Sequence, residues 1–151
     1  MTATAAIALA IILLMLVLAV LGRHGGKRAA WLQREQMPED LKTARLIASE
    51  KRFRCEDPIA LNGRPDQVYR LTDGTIVIVD TKRRQRPAVY EADIAQASIY
   101  RLLLTSQKQF RNQPFADYGY IRLVGPYKAV SYQRVTLWSA GKRRLLAVLT
   151  D

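Results

Sequence analysis

The sequence is poor in two residue types on which many catalytic and structural sites depend. Its 151 residues contain one cysteine, Cys55, and one histidine, His24. A single cysteine excludes an intrachain disulfide, and it excludes a multi-cysteine zinc or iron–sulfur site supplied by one chain. A single histidine argues against a histidine-rich metal centre and against a Ser-His-Asp triad. Carboxylates and lysines therefore remain as the side chains available for chemistry.

Negative charge is also scarce. The chain has 24 Lys and Arg residues against 13 Asp and Glu residues, which gives a formal net charge of +11. No charged side chain precedes Arg23, so the whole excess lies on residues 23–151. Such a basic domain suits a polyanion, either a nucleic acid or an anionic membrane surface. The alternative is that the positive charge serves only solubility.

The uncharged segment at residues 3–22 consists almost entirely of Ala, Ile, Leu, Val and Met. About 20 residues at about 1.5 Å per residue span about 30 Å, the hydrocarbon thickness of a bilayer. A cleaved signal peptide is the competing interpretation, but residues 1–4 carry no Lys or Arg. Positive charges follow the segment instead, which places the remainder of the chain in the cytoplasm. We therefore predict a single-pass anchor of the inner membrane over residues 1–22, a basic juxtamembrane linker over 23–38 and one domain over 39–151.

The stretch Ile76–Lys82 combines a buried strand with charge. Four β-branched apolar residues follow the turn signal Asp73-Gly74 and run into Asp80. This pattern predicts a central strand that is buried on both faces. Asp80 and Lys82 are two residues apart and leave the same face of the sheet. Their desolvation is costly unless they form a pair or serve a site.

Asp66 precedes a predicted strand over 67–71, and the loop that follows this strand decides where Asp66 lies. A two-residue loop would place Asp66 opposite Thr81, whereas a three-residue loop with a left-handed Gly74 places it opposite Asp80. We predict the three-residue loop. Two carboxylates beside a lysine then form a plausible magnesium site, in which the lysine orients water or stabilises the phosphate. The alternative is an Asp80–Lys82 pair that closes a strand while Asp66 caps a turn.

The remaining elements are assigned from periodicity and turn residues. A helix is predicted to begin at Pro38 and to end near Arg52, and a second helix spans residues 91–107. Gln96 and Tyr100, four residues apart, share one stripe of the second helix and can lean over the strand ends. The remaining predictions are a strand over 53–61, a hairpin turn at Asn62-Gly63, and strands over 118–124, 129–138 and 143–149.

Three motifs taken together resemble the PD-(D/E)XK nuclease superfamily. They are Gly63-Arg64-Pro65-Asp66, Ile76–Lys82 and Gln96-Ala97-Ser98-Ile99-Tyr100. The QxxxY element resembles the RecB-type branch, which includes the CRISPR adaptation exonucleases. The resemblance covers about residues 40–124. It implies an α/β fold with a mixed sheet, in which a restriction-endonuclease-like αβββαβ core follows the N-terminal transmembrane helix.

The resemblance also implies roles for particular residues. Asp66 and Asp80 would bind Mg²⁺ or Mn²⁺, Lys82 would be the catalytic lysine, and Gln96 and Tyr100 would help to position the substrate or the site. Members often carry a further acid on the first helix, for which Glu50 is the nearest candidate. The family's iron–sulfur exonucleases use several cysteines, so no iron–sulfur cluster is expected here. The nucleic-acid contacts predicted from the basic residues are Arg64, Arg83, Arg84 and Arg86.

The expected function is therefore that of a membrane-anchored, metal-dependent nuclease that hydrolyses phosphodiester bonds, with DNA as the favoured substrate. No helicase motor is present in the sequence, so a protein partner or self-association is expected for processive action. One alternative is a catalytically inactive basic module that binds nucleic acid or a partner on a nuclease-like scaffold. Another is a basic domain that lies against anionic lipids.

Overall fold

The computed structural model describes residues 12–15, 35–56 and 60–139. The chain divides into two compact units, Met1–Glu35 and Gln36–Asp151. Residues 12–15 are helical and belong to the predicted anchor. The rest of that anchor, most of the predicted linker and the predicted strand at 143–149 lie outside the described residues. Within the described ranges, no helix is long and apolar enough to cross a membrane.

The second unit is built on a five-stranded mixed sheet. The elements of this unit are α1 (Glu39–Lys42), β1 (Arg45–Ser49), β2 (Phe53–Cys55), β3 (Leu61–Gly63), β4 (Gln67–Arg70), β5 (Ile76–Arg83), α2 (Glu91–Thr105), β6 (Tyr118–Val124) and β7 (Val130–Thr136). The strand order in the sheet is β1-β4-β5-β6-β7, in which the pair β5–β6 is parallel and the other pairs are antiparallel. The long helix α2 follows β5 in the chain and precedes its parallel neighbour β6, so the predicted mixed α/β fold is confirmed.

Strand β5 is the centre of the sheet, as its apolar run predicted. The four residues Ile76–Val79 are at most 1% exposed. Ile76 and Ile78 lie in one core cluster with Leu103 and Leu104 of α2. Because alternate residues of a strand face opposite sides, Val77 and Val79 are buried on the other face. Burial on both faces fixes β5 and therefore fixes the position of the charged residues at its end.

The turn between β4 and β5 has the predicted three-residue form. Gly74 has a φ of +89°, and the N–H of Leu71 donates to the carbonyl of Thr75 at 2.8 Å. The pairing Gln67 with Val79 follows from this turn, and one further step places Asp66 opposite Asp80. The observed pairing confirms the predicted register. Glycine suits position 74 because it adopts the left-handed conformation of this turn at no steric cost.

The first predicted helix is largely wrong. Helix α1 spans only Glu39–Lys42, and Arg45–Ser49 forms the edge strand β1, which pairs antiparallel with β4. The short apolar run Leu46-Ile47-Ala48 is compatible with the periodicity of a helix and with that of a strand. Pairing with the free edge of β4 gives hydrogen-bond partners to the backbone N–H and carbonyl groups of this run. The sheet therefore overrides the local helical pattern.

The segment that follows also differs from the prediction of one strand and a turn. Phe53–Cys55 and Leu61–Gly63 are two short strands that pair with each other, so Asn62-Gly63 lies within a strand. This hairpin packs on α2. A Cβ at Gly63 would lie 2.9 Å from the ring of Tyr100 and 3.1 Å from Leu103. Glycine at position 63 thus allows the close approach of the hairpin to the helix.

Candidate active site

An ion pair lies at the end of β5. The ammonium Nζ of Lys82 is 2.8 Å from Oδ2 of Asp80, which is 2% exposed. Oδ2 is buried and makes no aligned hydrogen bond, so the contact with Lys82 is electrostatic. Burial raises the pKa of Asp80 above its ordinary value, and Lys82 opposes that rise. The two side chains leave the same face, as the spacing predicted.

Helix α2 extends this contact into a chain of polar side chains. Lys82 Nζ donates to Oε1 of Gln96 at 2.6 Å, and Nε2 of Gln96 donates to the hydroxyl oxygen of Tyr100 at 2.8 Å. Because a lysine only donates, the amide oxygen of Gln96 must face Lys82 and its nitrogen must face Tyr100. The residues on the predicted helix stripe therefore join the strand residues in one polar network.

Asp66 completes this group from the neighbouring strand. It lies just before β4, and its Oδ2 accepts a hydrogen bond from the backbone N–H of Thr81 at 2.7 Å. This bond fixes the carboxylate against the end of β5. The charge of Asp66 contributes to the raised pKa of Asp80, which is consistent with the two acids lying near one another. The structure thus brings Asp66, Asp80, Lys82, Gln96 and Tyr100 to one edge of the sheet.

The donor set suits a hard divalent cation. Asp80 offers a buried carboxylate whose Oδ2 contacts the ammonium of Lys82 at 2.8 Å, and the carboxylate of Asp66 has a second oxygen besides the one that Thr81 uses. In the part of the chain that the structure describes, no three His, Cys, Asp or Glu side chains cluster as metal ligands. Mg²⁺ is commonly held by one or two carboxylates together with water and substrate phosphate, so two carboxylates are sufficient.

This geometry agrees with a comparison of the sequence with protein families. The family described as the PD-(D/E)XK nuclease superfamily matches residues 17–144. The chain belongs to this superfamily. Its members are generally nucleases that use Mg²⁺ or Mn²⁺, and their substrates are nucleic acids. Membership therefore indicates a metal-dependent nuclease.

Comparisons with individual proteins are more distant. No curated protein matches the sequence. Thirteen chains of solved structures match. One of them, described as "Crystal structure of SSO0001", is 16% identical, with a TM-score of 0.43. The match covers 98% of this chain and 68% of that chain.

Glu50, the candidate for a further acid, lies close to Asp66 by its backbone. It follows β1 with a φ of 48°, and its N–H donates to the carbonyl of Asp66 at 2.9 Å. Its carboxylate is exposed and lies 3.9 Å from Nη1 of Arg64. Glu50 is therefore at the correct edge of the sheet but on a strand end, not on the first helix as predicted.

The four predicted nucleic-acid contacts differ in their surroundings. Arg64, Arg83 and Arg86 are exposed. The guanidinium of Arg84, by contrast, donates to both carboxylate oxygens of Asp93, at 2.6 and 2.8 Å, and stacks 4.5 Å from the ring centroid of Tyr90. Arg84 is thus already hydrogen-bonded within the protein, at the N-terminus of α2.

Asp93 is the important residue near the site that the sequence interpretation missed. It is 2% exposed, and Oδ2 also accepts the backbone N–H of Tyr90 at 2.9 Å. The hydrogen bonds from Arg84 lower the pKa of Asp93. An acid at the third helical position is a capping signal, and it would have predicted the helix start, although not the ion pair. Asp93 fixes the start of the helix that carries Gln96.

Proposed function

We propose that this protein is a membrane-anchored nuclease that hydrolyses phosphodiester bonds with the help of Mg²⁺ or Mn²⁺, and that DNA is its substrate. The observation that carries the proposal is the polar network from Asp80 through Lys82 and Gln96 to Tyr100, with Asp66 opposite Asp80. A strand-closing ion pair would require neither the second carboxylate nor the helix residues.

The carboxylates of Asp66 and Asp80 are the groups that would hold the cation. When bound, Mg²⁺ or Mn²⁺ supplies Lewis-acid chemistry and lowers the pKa of water. Lys82 is well placed for the reaction because its ammonium already lies 2.8 Å from Asp80. It can stabilise negative charge on the phosphate or transfer a proton. Gln96 restrains Lys82 in this position.

Tyr100 has a separate role in the proposal. Its oxygen accepts the hydrogen bond from Gln96, so its hydroxyl hydrogen remains to donate to a phosphate oxygen. A glutamine that binds the lysine and a tyrosine that binds the glutamine together give the QxxxY element a physical function. This arrangement supports the proposal that the protein belongs to the RecB-type branch of the superfamily.

The substrate assignment depends on charge. The exposed guanidinium groups of Arg64, Arg83 and Arg86 suit the phosphate backbone of a nucleic acid. The test is to incubate the full-length chain, purified in mild detergent, with labelled single- and double-stranded DNA and RNA. We expect DNA to be degraded with Mg²⁺ or Mn²⁺ and to stay intact with EDTA. Degradation of RNA alone, or degradation unaffected by EDTA, would contradict the proposal.

The membrane assignment depends on the sequence of the N-terminal segment. Residues 3–22 are uncharged and apolar, and basic residues follow them, which supports an inner-membrane anchor with a cytoplasmic domain. Fractionation of cells provides the test. We expect the full chain in the membrane pellet after a carbonate wash, with the domain cleaved only by protease on the cytoplasmic side. Recovery in the wash would contradict an anchor.

A further inference from the structure

A second concentration of positive charge begins near the catalytic network, at Lys51 beside Glu50, and extends away from it. It comprises two cavities of about 750 and 450 Å³ that share Lys51 and Gln109, and we call them together the basic groove. Among the described residues that line the groove, the only carboxylate is Glu56, and Arg54 pairs with it at 2.8 Å. The cations of the larger cavity are Lys51, Arg52, Arg54, Lys108 and Arg111, and the smaller cavity adds Arg45 and Arg70.

Several of these cations are available to a ligand. Arg52, Lys108 and Arg111 are exposed and make no ion pair with a carboxylate of the described residues. The amide group of Gln109 also lines the groove, whereas the amide nitrogen of Gln107 already donates to the backbone carbonyls of Arg54 and Leu103. Cations with interspersed amides are the side chains that bind phosphate oxygens without reading base sequence.

The position of the groove relative to the catalytic network follows from the fold. Phe110, which lies between the groove residues Lys108 and Arg111, packs in the same core cluster as Ile76 at the start of β5. Lys82 lies six residues further along that strand, so at about 3.3 Å per residue the part of the groove near Phe110 is about 20 Å from Lys82. A duplex rises about 3.4 Å per base pair, so this distance corresponds to about six base pairs.

We propose that the far part of the basic groove, which contains Lys108 and Arg111, binds the backbone of the nucleic acid about six nucleotides from the phosphate that is cut at Asp80 and Lys82. This inference rests on the proposed nuclease function and adds a second anchoring surface to it. Its consequence is a dependence on substrate length, because a substrate too short to reach from the catalytic network to the groove gains nothing from the second surface.

Nucleic acid fits the groove better than a lipid surface does. A bilayer is flat and is bound by protruding basic and apolar side chains, whereas these residues line a concave surface. Among the described lining residues, Leu46 is the only exposed large apolar side chain. The backbone of a rod-like polyanion can lie along such a shallow groove and contact its cations.

The experiment compares Lys108→Glu and Arg111→Glu with Lys42→Glu, a charge reversal of the same size on α1, outside the groove. Full-length proteins in mild detergent are titrated into a fluorescent duplex of about 20 base pairs, with EDTA to prevent cleavage. We expect each groove variant to bind the duplex about three- to tenfold more weakly at about 50 mM salt. The slope of the logarithm of the binding constant against the logarithm of the salt concentration should decrease in magnitude by about 1. Lys42→Glu should bind as the wild type does, and melting curves should show that all variants fold.

Cleavage measured in parallel separates this inference from the proposed function. If the groove variants raise the KM for long duplexes and leave short ones unaffected, both proposals are supported. If binding weakens but the wild type cleaves nothing, the groove is supported and the nuclease proposal fails. If the wild type cleaves and the groove variants bind normally, the groove inference is overturned. A loss of binding only to vesicles that contain phosphatidylglycerol would also overturn it, by assigning the groove to lipid.

Discussion

Lys82 is held from two sides, by the buried carboxylate of Asp80 and by the amide oxygen of Gln96. A flexible lysine loses side-chain entropy when it is fixed in this way, and the two contacts offset that loss. Such fixation is useful when the ammonium must meet a phosphate at a defined place. The spacing in the sequence predicted that Asp80 and Lys82 share a face of the sheet, but it did not predict the hydrogen bond between Lys82 and Gln96.

The variant Gln96→Ala tests this positioning. We expect kcat to fall by about 10- to 100-fold, the effect typical of removing a partner that orients a catalytic group. KM should change little, because the phosphate contacts of the arginines remain. Steady-state cleavage kinetics provide the measurement, with the exposed Gln133→Ala as the control. A kcat for Gln96→Ala within twofold of the wild type would show that Lys82 needs no such partner.

Asp93→Asn tests the ion pair at the start of α2. We expect the free energy of unfolding at pH 7 to fall by about 1–3 kcal/mol, because a buried charge-assisted pair is weakened. Since Arg84 lowers the folded-state pKa of Asp93, its stabilisation is complete above the unfolded pKa of about 3.9 and is lost as pH falls through the folded-state pKa.

Urea unfolding of wild type and Asp93→Asn between acid and neutral pH measures this effect. The difference between the two proteins should narrow below about pH 4. The exposed Asp117→Asn is the control and should show a small difference throughout. A difference for Asp93→Asn that is the same at all pH values would contradict the ion-pair explanation.

At the scale of elements, the sequence was most informative where one signal dominated. The unbroken apolar run of β5 and the apolar face of α2 each allowed one solution. The Asp73-Gly74 turn allowed two loop lengths, and the predicted three-residue loop gave the register that places Asp66 opposite Asp80. Strand β1 was missed because its three apolar residues fit two periodicities, and only pairing with β4 decides between them. The β2–β3 hairpin was missed because its stability comes from packing on α2.

Gly63→Ala tests the close packing between that hairpin and α2. The added Cβ would lie 2.9 Å from the ring of Tyr100, so the ring must move. We expect a loss of about 1–3 kcal/mol in the free energy of unfolding. Cleavage by the folded protein should also slow, because Tyr100 carries the bond from Gln96.

Gly74→Ala is the matched comparison. No atom lies within 4 Å of its added Cβ, but its φ of +89° strains any residue with a side chain. We expect the backbone strain in Gly74→Ala to lower the free energy of unfolding by about 1–2 kcal/mol. The kcat of the folded variant should equal that of the wild type. Thermal melting together with cleavage kinetics separates the two effects. Equal kcat values for Gly63→Ala and Gly74→Ala would remove Tyr100 from the proposed site.

At the scale of the whole molecule, the charge of +11 has two recognisable locations on the second unit. One is the set of exposed arginines on the segments that follow β3 and end β5, which flank the catalytic residues. The other is the basic groove. The carboxylates of Asp66 and Asp80 lie next to the first location, where a bound metal ion would reverse the local charge. The sequence predicted the total charge and the first location, but the groove depends on the fold of segments that are far apart in the chain.

The most direct test of this account is magnesium-dependent cleavage of labelled DNA by the full-length chain, compared between wild type, Lys82→Ala and Lys42→Ala. Lys42 is the control because it lies on α1 and pairs with Glu39, outside the catalytic network. We predict that Lys82→Ala lowers the rate by about 10²-fold or more and that Lys42→Ala cleaves as the wild type does. Cleavage by Lys82→Ala at the wild-type rate would contradict the account.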